Sequence, residues 1–208
     1  MKDYININKD AYNKLAQEFA CRNNELIPFQ KSLKQYLSEY VNPFDSVLEI
    51  GSGTGMALKI FEQFQCNTIA VELSDKMCSF SRENAPKAII INQNILEVSF
   101  FPGQFDLICA FAVMHTLSLE DSKELISKIN LWLKPSGTFI FDTMKYDSSH
   151  EVLVRTGLHK DILKYQRTYT EDELDNLISC SGLKVQNKLL IEDSLAKKIW
   201  IRYACTKL

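Results

Sequence analysis

A run fit for a buried strand stops abruptly at three glycines spaced two apart: Val47-Leu48-Glu49-Ile50-Gly51-Ser52-Gly53-Thr54-Gly55. A helical segment follows at once, so the chain must turn through bare backbone between strand and helix. Glycine allows that turn and lets a ligand approach without interference from a Cβ atom. This junction constrains the fold more than any other stretch, because it belongs to the first unit of an α/β sheet whose ligands gather at the carboxyl ends of its strands.

The texture around it agrees. Strands are expected at Ser46–Ile50, Thr68–Glu72, Ala88–Asn92, Phe105–Ala110 and Thr138–Asp142, with helices at Met56–Phe64, Ser74–Glu83 and Leu119–Leu133 between them. Short runs that are apolar on both faces and separated by helices call for a parallel sheet covered on both sides. Ahead of them, Tyr12, Leu15, Ala16 and Phe19, then Leu33, Tyr36, Leu37 and Tyr40, recur at helical steps and predict one or two amphipathic helices, stopped at Asn42-Pro43. At the other end a helix over Glu171–Cys180 precedes two strand-like runs, Leu183–Glu192 and Lys198–Thr206, joined by only Asp-Ser-Leu-Ala-Lys. So short a link admits an antiparallel pair and no parallel crossover.

The expected architecture is a doubly wound α/β fold, a mixed sheet with the last strand antiparallel and N-terminal helices in front. It divides into a helical cap over residues 1–44, a ligand-binding core over 45–142, an insertion over 143–170 and a C-terminal helix with a strand pair over 171–208, all one domain. The insertion is longer than an ordinary connection and is expected to hold an extra helix or a loop covering the site.

Composition excludes several classes. Basic residues number 24 against 26 acids, a net charge of −2, which leaves no global footprint for nucleic acid. The six cysteines form no paired metal motif, so no metal is expected, and their place inside apolar runs fits a reducing cytoplasm. The start Met-Lys-Asp-Tyr-Ile-Asn-Ile-Asn-Lys-Asp is too polar for a secretory segment, and no stretch is apolar for long enough to span a membrane.

The glycine spacing G-x-G-x-G differs from the G-x-G-x-x-G of dinucleotide sites, which counts against a nicotinamide-dependent oxidoreductase. Glu72, closing the second strand after Thr-Ile-Ala-Val, is a carboxylate placed to accept from both hydroxyls of a ribose. Five stretches, "VLEIGSGTG", "AVELSDKM", "INQNILEVSF", "FDLICAFAVMHTL" and "LKPSGTFIFD", resemble in order and spacing the signature segments of class I S-adenosylmethionine-dependent methyltransferases.

That resemblance, over about Ser46 to Asp142, implies the family's seven-stranded Rossmann-like fold and S-adenosyl-L-methionine as cofactor. Gly51, Ser52, Gly53 and Gly55 would pass under its methionine part, with Glu49 ordering the loop near the amino group. Glu72 would hold the ribose, Leu73 and Met77 would pack on the adenine, Ile95 would offer its N–H, and Ala110 would also contact the cofactor. Where the family commonly has an aspartate after the third strand, this chain has Asn94, whose carbonyl accepts without charge.

For the chemistry, His115 at the end of the fourth strand is the candidate base, with packing or a covering role as the alternative. Tyr12 from the leading helix, and Tyr146, His150, His159, Arg167 and Tyr169 from the insertion, are candidates for the acceptor side. No Asn/Asp-Pro-Pro-Tyr stretch follows the fourth strand, and no basic stripe accompanies it. These features favour a small-molecule methyl acceptor methylated on oxygen or nitrogen. A non-catalytic binder of the same fold, or an enzyme acting on protein or RNA, is the alternative.

Overall fold

The computed structural model describes residues 3–41, 44–156, 159, 161–193 and 198–208. The helical stop at Asn42-Pro43 and most of the link after Asp193 lie outside the described residues. Two helices, α1 (Asp3–Cys21) and α2 (Ile27–Tyr40), lead into β1 (Ser46–Ile50), α3 (Leu58–Gln63), β2 (Asn67–Glu72), α4 (Asp75–Asn84) and β3 (Ile89–Asn92). Then follow β4 (Phe105–Phe111), α5 (Leu119–Trp132), β5 (Leu133–Met144), β6 (Glu151–Arg155), β7 (Leu163–Arg167), α6 (Glu171–Ser179), β8 (Leu183–Asp193) and β9 (Lys198–Lys207).

Seven strands form one sheet in the order β3-β2-β1-β4-β5-β9-β8. The pairs β1 with β2 and with β4, β2 with β3, and β4 with β5 are parallel; β9 runs antiparallel to both β5 and β8. The last strand of the chain is therefore the reversed one, inserted between β5 and the edge strand β8. The chain winds outward from β1 through β2 to β3 and then returns to β4 on the other side of β1. A crevice opens where that direction reverses, at the carboxyl ends of β1 and β4.

Alternation along the strands covers both faces. Leu48, Ile50, Ile108, Phe139 and Phe141 pack with Leu125, Ile129, Trp132, Leu174 and Ile178 of α5 and α6. Val47, Leu107, Cys109 and Ile140 point the other way, onto Leu33, Tyr36 and Leu37 of α2 and Leu58 and Phe61 of α3. The strands read as continuous apolar runs because a parallel sheet buries both of its sides.

The insertion departs from expectation: in place of a helix or a covering loop it holds an antiparallel hairpin, with Glu151 opposite Arg167 and Arg155 opposite Leu163. Its β6 sequence, Glu-Val-Leu-Val-Arg, is rich in β-branched residues that favour a pleated surface. The fifth strand also begins earlier than the sequence suggests, at Leu133, with a register shift opposite Phe105 and Leu107.

A buried ion pair ties the sheet to α2. Arg202 on β9 faces its register partner Asp142 on β5, donating from Nε at 2.8 Å and from Nη2 at 2.7 Å. The rings of Phe29, Tyr36 and Phe111 surround the guanidinium at 5.7, 5.4 and 5.7 Å. Removing one partner of such a pair strands the other charge, whereas replacing both with apolar residues of similar volume does not. Asp142→Ala is expected to lower stability by about 3–5 kcal/mol in denaturant unfolding, and an apolar Asp142–Arg202 double replacement to recover most of that loss.

Candidate functional site

The glycine loop is held from α4. Ser81 Oγ donates to the Gly53 carbonyl at 2.8 Å and lies 3.0 Å from Ser52 Oγ, and Asn84 Nδ2 donates to the Thr54 carbonyl at 2.9 Å. At Gly55 a Cβ would meet Ser81 Cα at 2.9 Å, so loop and helix approach too closely for any side chain. At Gly53, φ is +54° and nothing lies within 4 Å of where a Cβ would project. That position faces an open cradle at the head of β1.

Two acids from adjacent strands line the cradle. Glu72, at the end of β2, accepts from the Gly53 N–H at 2.9 Å through one oxygen and from the Ser74 N–H at 2.8 Å through the other. It thereby fixes both the loop and the start of α4, and each oxygen keeps a second acceptor direction. Burial holds its carboxyl above the ordinary range, partly offset by these N–H donors. Glu49 on β1 is 2% exposed, and its Oε2 has no hydrogen-bond partner among the described residues. Burial first, and then the charge of Glu72, pushes its carboxyl well above the usual value. A buried carboxylate oxygen without a partner beside an open cradle is suited to receive an ammonium group.

Helix α1 crosses the carboxyl ends of the strands. Asn13 Oδ1 accepts from Ser74 Oγ at 2.6 Å and from the Lys76 N–H at 3.2 Å, while its amide donates to Asp75. Tyr12, one residue earlier, sits close enough to Glu72 that burial and this charge push its phenol up to about 12. One turn earlier in α1, Asn8 reaches the turn after β4 and the strand β7. Neither Asn8 nor Asn13 stands out in the sequence, because a polar residue on an amphipathic helix reads as solvent-facing.

Other expected residues fall into place differently. Met77 is buried at the start of α4, where its N–H is capped by Ser74 Oγ, and Leu73 is half-buried beside it. Asn94 caps the short turn Ile95–Glu97, its carbonyl accepting from the Leu96 N–H at 3.1 Å, so only part of its acceptor capacity faces outward. Ile95 is buried, and the Ala110 side chain lies within the core on the α5 face.

His115 lies in the turn Met114–Thr116, buried, with its ring edge-on to Trp200 at 5.8 Å and 75°. Tyr146 accepts from Gln166 Nε2 at 3.0 Å and is half-buried at the end of β5. Arg167 and Tyr169 both bond within the fold. Arg167 donates to both carboxylate oxygens of Glu173 at 2.6 and 3.1 Å and stacks on the Tyr169 ring at 4.5 Å. Tyr169 is fully buried, with its hydroxyl 2.7 Å from Ser122 Oγ and donating to the Met114 carbonyl. Arg167 also donates from Nη1 to the Thr168 carbonyl at 2.7 Å, while its Nε has no hydrogen-bond partner among the described residues. His159 pairs with Glu18 at 3.0 Å, and His150 Nδ1 lies 3.0 Å from Thr168 Oγ1.

This fold and cradle define the class to which the comparisons also lead. Residues 14–188 match the family model described as a methyltransferase domain. A phosphoethanolamine N-methyltransferase of Plasmodium falciparum is 30% identical over 169 residues, which is 76% of this chain and 61% of that enzyme. The chain thus spans less than two thirds of that relative's length. A methyltransferase of uncharacterised activity from Synechocystis is 25% identical over 72% of each chain. Among solved structures, an S-adenosylmethionine-dependent methyltransferase of Methanosarcina mazei superimposes with TM-score 0.74 at 15% identity, covering 83% of this chain and 96% of its own. The 1,6-didemethyltoxoflavin N1-methyltransferase of Burkholderia thailandensis, solved with S-adenosylhomocysteine, does so with TM-score 0.69 at 16% identity, covering 93% and 87%. The chain belongs to the class I S-adenosylmethionine-dependent methyltransferases, and S-adenosylmethionine is the cofactor of that class. The unpartnered Glu49 oxygen and the open face of Gly53 fit that group.

Two outcomes follow for the cradle. Gly53→Val is expected to weaken S-adenosylhomocysteine binding at least tenfold by calorimetry while costing only about 1–2 kcal/mol of fold stability, the penalty of a left-handed backbone. For Glu49 the native state holds its proton more tightly than the unfolded chain does, so ligand-free stability falls as pH rises above about 4.3. Glu49→Gln should flatten that decline in a series of thermal melts from acid to mildly alkaline pH.

Proposed function

We propose that the chain transfers a methyl group from S-adenosylmethionine to an oxygen or nitrogen of a small-molecule acceptor. The observation that carries this reading is α1, latched through Asn13 to α4 and through Asn8 to the turn after β4 and to β7, so that the carboxyl ends of the strands are roofed over. A roofed crevice suits an acceptor small enough to be enclosed. The net charge of −2 and the absence of a membrane-length apolar helix among the described residues accord with it. So do the names of the Plasmodium and Burkholderia proteins, each an N-methyltransferase of a small compound. The six cysteines, all free, suit the cytoplasm.

When bound, the cofactor supplies a methyl group already activated on sulfur. The protein then has to align the acceptor, exclude water and take a proton. Glu49 would hold the ammonium of the bound cofactor, Glu72 its ribose hydroxyls, and the glycine loop its methionine part. Tyr12 covers the cradle, and His115 accepts the proton that an acceptor hydroxyl or ammonium gives up.

Incubating the protein with isotopically labelled cofactor and a metabolite extract is expected to place label in a low-molecular-weight product. Label appearing only in RNA or protein, or nowhere despite tight cofactor binding, would overturn the small-molecule reading. With the acceptor in hand, His115→Ala should reduce kcat by roughly 10²-fold or more, with cofactor Kd essentially unchanged.

A further inference from the structure

We infer that Asn8 and Tyr169 are positioning residues, which grip the turn Met114–Thr116 from opposite sides and so fix the ring of His115 toward the acceptor. The inference rests on the reading of His115 as the proton acceptor, and its geometry stands independently. Asn8 sits in the second turn of α1, inside the helix, where asparagine is a poor helix former, and it is 3% exposed. A buried carboxamide in such a place is tolerated only when both of its ends are bonded. Its Nδ2 donates to the Thr116 carbonyl at 3.1 Å, and its Oδ1 accepts from the Tyr165 N–H at 2.8 Å.

On the other flank, the hydroxyl of fully buried Tyr169 donates to the Met114 carbonyl at 3.3 Å, steadied by Ser122 Oγ at 2.7 Å. The carbonyls on either side of His115 are thus each held by a side chain from a distant element, one from α1 and one from the segment after β7. Tyr4 reinforces the same junction, donating to Asp121 and accepting from the Ser118 N–H. Between the two grips the His115 ring lies edge-on to Trp200. The turn has few rotational choices left, and its histidine inherits that fixity.

The test uses the full chain labelled in histidine. With only three histidines, 115, 150 and 159, the His115 ring signals are assigned by their loss in His115→Gln, and Trp200→Leu reveals the displacement caused by the tryptophan ring current. Asn8→Asp keeps an acceptor for Tyr165 but has no donor for Thr116, so it releases one grip alone; Tyr169→Phe removes a single hydroxyl and releases the other. Each is expected to move the His115 ring signals toward those of the unstacked ring and to lower kcat about tenfold or more, with cofactor Kd within about twofold.

Unchanged ring signals in folded variants would overturn the inference, as would kcat and cofactor affinity falling together. Should Asn8→Asp fail to fold, Tyr169→Phe decides alone. If His115→Gln leaves kcat intact, it is the assignment of the base that falls, while the ring signals still report whether the grip exists.

Discussion

The cofactor cradle depends on one side chain that bonds to two pieces of backbone at once. Glu72 accepts from the loop at Gly53 and from the start of α4 at Ser74, so the curvature of the glycine loop and the position of the following helix are set by the same carboxylate. Close packing of Gly55 against Ser81 completes the contact. An acid placed there is expensive to bury, and the two N–H donors make it tolerable. Glu49, one strand over, has no such compensation at Oε2. The protein carries this cost in the ligand-free state, and under the proposed reading a cationic ligand group would relieve it.

The same economy operates differently at Asp142 and Arg202. There both charges are supplied by the chain, aligned by strand register and enclosed by three aromatic rings, so that the pair is satisfied internally apart from one guanidinium nitrogen. An internally matched pair holds layers together, whereas an unmatched acid invites something from outside. Distinguishing the two requires knowing what lies across the sheet, which strand sequences alone do not reveal.

Much of the core was nevertheless legible. Strands β1, β2 and β4 are apolar on consecutive positions because both sheet faces are covered, and the glycine loop and Glu72 stand out against that background. The antiparallel pair at the end follows from a link too short for a crossover. The hairpin β6–β7 was not legible: its two strands bond mainly to each other, with Val152 and Leu153 exposed, so no core periodicity marks them. Arg167 and Tyr169 look like a recognition pair from sequence. In the structure Thr170 Oγ1 accepts from the Glu173 N–H, and the carboxylate of that acid is bound by Arg167 and Ser149, a partnership that no spacing in the sequence marks. Asn8 and Asn13 left no sign, because their meaning lies wholly in partners more than sixty residues away.

The placement of β9 inside the sheet bears on how the chain is made. Strand β5 gains its second neighbour, and Asp142 its counter-charge, only when the chain's last strand arrives. Until that segment leaves the ribosome, the nascent polypeptide presents an unpaired edge and a solitary acid along β5. Before β9 has formed, β5 therefore keeps an open edge, and its insertion completes the sheet and the ion pair together.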